Sequence, residues 1–184
     1  MTGQELFSGD RIRTLLIEVA NQLDPAKSQS TVLLVGGSIL AWHGLRLATE
    51  DVDTTLKIDA ELRAAIKRVA HSHQLDVNWL NDHSSPWHPH TLHPEDCEVL
   101  INHPRLLVLG APLTAVFLMK LNRSQPQDVV DMLTLWPIVA DDFSTARAVS
   151  KAFYAAFPLE EFDEYLEIEI VDLARRAGLT LPLE

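Results

Sequence analysis

Two short groups of residues in the first third of the sequence are suited to phosphate and metal chemistry. The first is Gly36-Gly37-Ser38, and the second, Asp51-Val52-Asp53, follows after twelve intervening residues. Two glycines before a helix let backbone amides approach a phosphate closely, and the helix N-terminus adds partial positive charge. The Ser38 hydroxyl can donate a further hydrogen bond. The first group is therefore a candidate phosphate site.

The second group supplies a pair of carboxylates. Asp51 and Asp53 are two residues apart on a predicted strand, so both side chains point to the same face. Neighbouring carboxylates repel each other unless a cation lies between them. Mg²⁺ takes oxygen ligands and usually shares them with substrate phosphates. We therefore expect Asp51 and Asp53 to bind Mg²⁺, which would bridge them to a triphosphate on the glycine turn.

The apolar pattern predicts an α+β fold. Residues 1–110 are expected to form a mixed β-sheet flanked by helices, and residues 111–184 a helical region packed on it. The predicted strands are Thr31–Val35, Asp51–Ile58, Leu75–Leu80, Glu98–Ile101 and Leu106–Leu109. The predicted helices cover 10–24, 38–44, 60–71, 112–122, 125–135, 141–155 and 158–176, with Asp59 as an N-cap and breaks at Pro137 and Pro158.

The segment Leu34–Leu56 resembles the signature of the polymerase-β-like nucleotidyltransferase superfamily. It is most similar to small bacterial nucleotidyltransferase-like proteins related to AbiEii-type abortive-infection toxins, in which a G-x-R-x-T-x-D-h-D stretch is typical. The residues that match this stretch are Gly44, Arg46, Thr49, Asp51 and Asp53. A weaker resemblance continues to about residue 135, through Trp79-Leu80-Asn81-Asp82, Phe117–Leu121, Asp128 and Asp131.

The resemblance implies Mg²⁺-dependent transfer of a nucleotidyl group from a nucleoside triphosphate, expected to be ATP, to an unidentified acceptor. It places Asp51 and Asp53 as metal ligands and, with Asp76, as catalytic residues. The residues it assigns to the nucleotide are Gly36, Gly37, Ser38, Arg46 and Lys120. A role in a toxin–antitoxin or phage-defence system is the expected biological setting. The alternative is a catalytically inactive module of the same fold that binds a nucleotide or a protein.

The resemblance also implies a third carboxylate on a later strand, and its position is open. Asp76 and Asn78 lie on one face of the predicted strand Leu75–Leu80, and Glu98 lies on the next strand. Asp76 is the favoured candidate. An amide at Asn78 cannot replace the carboxylate charge, so Asn78 as the equivalent residue predicts a weak or inactive enzyme.

Two basic residues have alternative roles. Arg46 either touches a phosphate or braces the strand that carries Asp51 and Asp53. Lys120 lies on an otherwise apolar predicted helix, so its ammonium must reach either water or an anion such as a triphosphate. Asp128 and Asp131, three residues apart on the next helix, either pair with Lys120 or Arg123 or face water.

Charge and composition limit the partners. The 184 residues carry a net charge of −11, which argues against long nucleic acid as a partner. Residues Pro158 to Glu184 include eight acidic and two basic residues. The acidic C-terminal helix is therefore either a solvated face or a docking site for a protein partner. The apolar stretches are too short to span a bilayer, and the single cysteine, Cys97, suits the cytoplasm.

A histidine-rich loop offers a rival interpretation, a metal hydrolase. Its spacings match no standard zinc pattern, and its prolines favour an extended loop. The residues concerned are His83, His88, His90 and His93, with Asp96 and Cys97 close by.

Overall fold

A computed structural model describes residues 5–184, and the chain divides into two compact units. The first unit comprises the chain up to His88 together with Pro94–Ala111, and the second comprises Pro89–His93 together with Pro112–Glu184. Within the second unit, the backbone N–H of His90 donates to the carbonyl of Ala156 at 2.8 Å. The fold is α+β, as predicted: a small mixed sheet flanked by helices.

The described part of the first unit contains three α-helices, α1 (Gly9–Gln22), α2 (Gly36–Trp42) and α3 (Ala60–His73). The predicted N-cap of α3 is confirmed, because Asp59 Oδ1 accepts a hydrogen bond from the Leu62 N–H at 2.8 Å. Helix α1 packs against both α2 and α3. The apolar stripe that predicted α1 is the stripe that it buries: Ile12, Leu15, Leu16 and Val19.

The described part of the first unit contains five short strands: β1 (Ser30–Leu34), β2 (Val52–Asp53), β3 (Leu80–Asn81), β4 (Glu98–His103) and β5 (Leu106–Gly110). They form a three-stranded sheet in the order β1-β5-β4 and a two-stranded sheet of β2 and β3. Strand β1 runs parallel to β5, β5 runs antiparallel to β4, and β2 runs parallel to β3. A single antiparallel bridge between Leu34 and Thr54 connects β1 to the β2 segment.

Two predicted strands are much shorter in the structure. Strand β2 ends at Asp53 because the buried Thr54 side chain turns the chain. Its Oγ1 accepts from the N–H of Leu33 at 3.0 Å and from the N–H of Leu56, two residues further on, at 3.2 Å. The predicted strand Leu75–Leu80 is wrong except at its last residue. The chain instead turns at Asp76, whose carbonyl accepts from the Trp79 N–H at 3.1 Å.

The second unit contains four α-helices: α4 (Leu113–Arg123), α5 (Pro126–Val139), α6 (Ala146–Ala156) and α7 (Leu166–Arg176). Helix α4 packs against α5 and α6, and α7 packs against α5 and α6. Helix α5 continues past Pro137, contrary to the predicted break, because Trp136 and Val139 bury their side chains on either side of that proline. The last helix begins at residue 166 rather than 158.

Between residues 5 and 184, none of the helices combines the length and the apolar character that a membrane span requires.

Candidate functional site

The glycine pair lies at the turn between β1 and α2, and a different structural constraint favours glycine at each of the two positions. Gly36 has a φ of +60°, a left-handed conformation that favours glycine. A Cβ atom at Gly37 would lie only 2.6 Å from Thr49 Oγ1 and 3.1 Å from Arg46 Nη1. Thr49 and Arg46 therefore pack directly on Gly37. The Arg46 guanidinium also donates through Nε to the Ala48 carbonyl at 2.8 Å.

The fold brings Asp53 to the same turn. The backbone N–H of Val35 donates to the Asp53 carbonyl at 3.2 Å, which holds the end of β2 beside the glycines. Asp53 Oδ2 lies 3.6 Å from the position that a Cβ atom of Gly36 would occupy. A carboxylate and a guanidinium, from Asp53 and Arg46, thus lie against consecutive glycines.

Ser38 lies in the first turn of α2 and is buried. Its hydroxyl donates to the Val35 carbonyl at 2.7 Å. Val35 is the N-cap residue of α2, and no side-chain hydrogen bond caps the helix there. The Ser38 proton is therefore engaged within the turn, so binding a phosphate would require this bond to break. The phosphate contact of Ser38 stays a prediction.

Asp51 and Asp76 line one pocket of the first unit, with a volume of about 790 Å³. Four carboxylates line it, from Glu5, Glu50, Asp51 and Asp76, and His83 is the basic residue among the lining. Asp53 does not contribute to the lining. The structure therefore places Asp51 with Asp76 and Asp53 with the glycine turn. Four carboxylates around one space favour a cationic occupant.

The three residues that sequence reasoning considered for the third acid lie in different surroundings. Asp76 is in the turn before β3, where its Oδ1 accepts from the Asn78 N–H at 2.7 Å, so neither residue is on a strand. Glu98 lies on β4, in the three-stranded sheet, whereas Asp53 lies on β2, which pairs with β3. The Glu98 carboxylate faces His43 Nε2 at 3.6 Å.

The residue that lies in register with Asp53 on the neighbouring strand is Asn81, which sequence reasoning missed. Its side chain is buried, with Oδ1 accepting from the His83 N–H at 3.0 Å and Nδ2 donating to the Asn78 carbonyl at 3.3 Å. The signal that points to it is the Asp76-Val77-Asn78 sequence. Asp and Asn favour turns, so this sequence moves the start of the strand towards Asn81.

No three His, Cys, Asp or Glu side chains within residues 5–184 are grouped closely enough to hold a metal ion. In particular, Asp51, Asp53 and Asp76 do not form a preassembled set of three ligands. The histidine-rich loop forms none either; in it, His88 Nδ1 lies 2.9 Å from Thr55 Oγ1. The described residues therefore hold no cluster that favours a zinc hydrolase.

Lys120 belongs to the second unit, where it is 3% exposed. Its Nζ lies 2.6 Å from Asp131 Oδ2 and 3.2 Å from Asp128 Oδ1. Arg123 binds Asp128 through two nitrogens, at 2.6 and 2.7 Å. Of the alternatives left open by the sequence, the pairing of both aspartates with basic residues is confirmed. Contact between Lys120 and a triphosphate stays a prediction.

The charges around Asp128 shift its acidity. Burial opposes ionisation of this carboxyl, but the hydrogen bond from Arg123 and the charges of Lys120 and Arg123 outweigh it. The pKa of Asp128 is therefore held below its usual value of 3.8. A carboxylate at this position stays ionised at neutral pH and balances the buried ammonium of Lys120.

Replacing Gly37 with alanine tests the packing at the turn. We expect Gly37→Ala to lower the free energy of unfolding by about 1–3 kcal/mol, since the new methyl group overlaps Thr49 Oγ1. In a Thr49→Ala background the loss should shrink, because that oxygen is gone. Urea unfolding of all four proteins measures the coupling. Strictly additive losses would show that Thr49 does not restrict residue 37.

Replacing Lys120 with methionine tests the buried ion pairs. We expect Lys120→Met to cost about 3–5 kcal/mol of unfolding free energy, because two buried carboxylates lose the ammonium between them. The matched control is Lys151→Met, which removes an exposed lysine from the same unit. Thermal and urea unfolding measure both. Equal, small effects would contradict the buried pairing.

Replacing Asp128 with asparagine tests the pKa shift. A carboxyl with a lowered folded-state pKa stabilises the fold above its usual pKa of 3.8, and this stability is lost as the pH falls through the lower, folded value. The stability difference between wild type and Asp128→Asn should therefore be largest near neutral pH and narrow below about pH 4. Urea unfolding across this pH range measures it. A difference independent of pH would refute the shift.

Comparison with protein-family models, with curated proteins and with solved structures found no match for this chain. The features that bear on its function are the glycine turn with Asp53 and Arg46, and the acidic pocket lined by Asp51.

Proposed function

We propose that this chain is a nucleotidyltransferase-like protein that binds a nucleoside triphosphate with Mg²⁺ and transfers a nucleotidyl group to an acceptor. ATP is the proposed donor, and the cytoplasm is the proposed compartment. Two things support the proposal: the resemblance of residues 34–56 to the nucleotidyltransferase superfamily, and the placement of the matching residues. A part in a toxin–antitoxin or phage-defence system rests on the resemblance alone.

The observation that carries the proposal is the convergence of opposite charges on the glycine turn. Asp53 Oδ2 lies beside Gly36 and Arg46 Nη1 beside Gly37, although both are distant from the glycines in sequence. A guanidinium recognises phosphate oxygens, and a carboxylate binds a hard cation. A triphosphate that carries its own divalent cation is complementary to both groups at once.

Asp51 and Asp53 are the proposed Mg²⁺ ligands, as the resemblance implies. Asp53 lies against the glycine turn, and Asp51, two residues earlier, lines the acidic pocket. Mg²⁺ usually takes one or two carboxylates and completes its shell with phosphate oxygens and water, so a cluster of three protein ligands would not be required. When bound, Mg²⁺ would supply neutralisation of the phosphate charge.

The acidic pocket is the proposed acceptor site. Asp76 is exposed and shares the pocket with Asp51, so its carboxylate can accept the proton of an acceptor hydroxyl there. The acceptor oxygen would bond to the α-phosphorus as pyrophosphate leaves. Four carboxylates in the lining disfavour a polyanion. We therefore propose a protein hydroxyl or a small molecule, rather than long nucleic acid, as the acceptor.

A second candidate function is nucleotide or protein binding without turnover. The specific observation in its favour is Asn81, a buried amide in register with Asp53, where a neighbouring carboxylate would strengthen the metal site. An amide carries no charge for the cation and cannot accept a proton at neutral pH. In this candidate, Asp76 has no catalytic part.

Replacing the two proposed metal ligands tests the site. We expect Asp51→Asn and Asp53→Asn each to abolish Mg²⁺-dependent binding of a non-hydrolysable ATP analogue, because the cation loses a charged ligand. Calorimetry measures binding with Mg²⁺ and with EDTA, and circular dichroism checks the fold. The matched control is Asp141→Asn, an exposed aspartate in the second unit, which should bind normally. Unchanged affinity in both site variants would refute the proposed site.

Transfer from labelled triphosphates to lysate or small-molecule acceptors separates the two candidates. Labelling that disappears in Asp51→Asn supports the enzyme. Mg²⁺-dependent binding without any transfer supports the binding module.

A further inference from the structure

Four large apolar side chains are exposed within ten residues of the second unit. They lie in the segment Leu159–Ile168, which covers the approach to α7 and its first turn. Their exposed fractions are 92% for Leu159, 80% for Phe162, 60% for Tyr165 and 59% for Ile168. Single exposed apolar residues are ordinary, but a run of four needs an explanation.

The segment is tied to the neighbouring helix although its apolar side chains are exposed. Phe162 stacks on Tyr154 with ring centroids 5.9 Å apart. The backbone N–H of Asp163 donates to the Tyr154 hydroxyl at 2.7 Å, and Asp163 Oδ1 accepts from the Tyr165 N–H at 2.8 Å. These contacts define the backbone path that carries the exposed side chains.

The same segment is densely acidic. Five acidic residues and no basic ones lie between Leu159 and Ile168, and a sixth acidic residue, Glu169, follows directly. Within the described part of the chain, only Glu167 of these six takes part in an ion pair, at 3.7 Å from Arg147. The helix dipole accounts for acids in the first turn of α7. It does not account for Glu160, Glu161, Asp163 and Glu164, which precede the helix.

We infer that Leu159–Ile168 is a docking surface for a basic amphipathic segment of a partner protein. Apolar contacts supply affinity at an interface, and complementary charge supplies selectivity and rapid association. The negative charge of this surface favours a basic partner over the other possible occupants. A second copy of this chain would bring its own net charge of −11, and an anionic lipid surface would also be repelled. Lys and Arg side chains around an apolar stripe complement the six carboxylates.

A synthetic amphipathic helical peptide of leucine and lysine serves as the probe, and it is added to the full-length protein. We expect saturable binding with one peptide per chain, seen as a change in peptide fluorescence anisotropy, which weakens as the salt concentration rises. The same peptide with glutamate in place of lysine should not bind. Absence of binding by the lysine peptide overturns the inference.

Surface variants locate the binding. Phe162→Ser with Ile168→Ser should weaken the affinity by roughly tenfold or more, since exposed aromatic and aliphatic anchors carry most interface energy. The matched control is Val130→Ser, an apolar residue of the same unit that is 56% exposed. Combined Glu160→Gln, Glu161→Gln and Glu164→Gln should weaken binding and flatten its salt dependence.

Equal affinity in the patch variants and the Val130→Ser control would overturn the inference, because it would reduce the binding to a general attraction by net charge. Sedimentation of the protein alone supplies a second check. A dimer that dissociates in the Phe162→Ser, Ile168→Ser variant would replace the basic partner with a second copy. Neither result bears on nucleotide binding, so this inference and the proposed function fail independently.

Discussion

The geometry of the candidate site depends on a short antiparallel contact between β1 and the β2 segment. One bridge, Leu34 to Thr54, and one flanking hydrogen bond, Val35 N–H to the Asp53 carbonyl, hold the two segments together. The Thr54 hydroxyl strengthens the contact by accepting from the Leu33 N–H inside the core. Because β1 ends at the glycine turn, this contact places Asp53 beside Gly36. Without this contact, the strands would not hold Asp53 next to the glycine turn.

Packing around Gly37 also constrains the spacing between the glycine pair and the two aspartates. Gly37 has no room for a side chain because Thr49 and Arg46 pack on it. Thr49 is held in turn by mutual backbone hydrogen bonds with Phe7, at 2.7 and 3.0 Å. Under the proposed function, the Arg46 guanidinium that packs on Gly37 would contact a phosphate held at this turn.

Local features of this chain could be predicted from the sequence, whereas features set by distant contacts could not. The stripe of α1 and the Asp59 cap of α3 depend on residues within one or two turns, and both were correct. The length of β2 depends on the bond from Leu33 to Thr54, twenty-one residues away, and was wrong. The strand neighbour of Asp53 was missed for the same reason, because the register of β3 against β2, which depends on distant contacts, is what places Asn81 beside Asp53.

The acidity of the first unit links its pocket to the chemistry at the glycine turn. Four carboxylates line the pocket, and Asp53 lies close by in sequence at the turn. A bare triphosphate brings several further negative charges, while Arg46 is the basic side chain that contacts Gly37. Repulsion among these groups would disfavour the free nucleotide. Under the proposed function, a divalent cation would offset this repulsion, so that nucleotide recognition and metal binding would be one event.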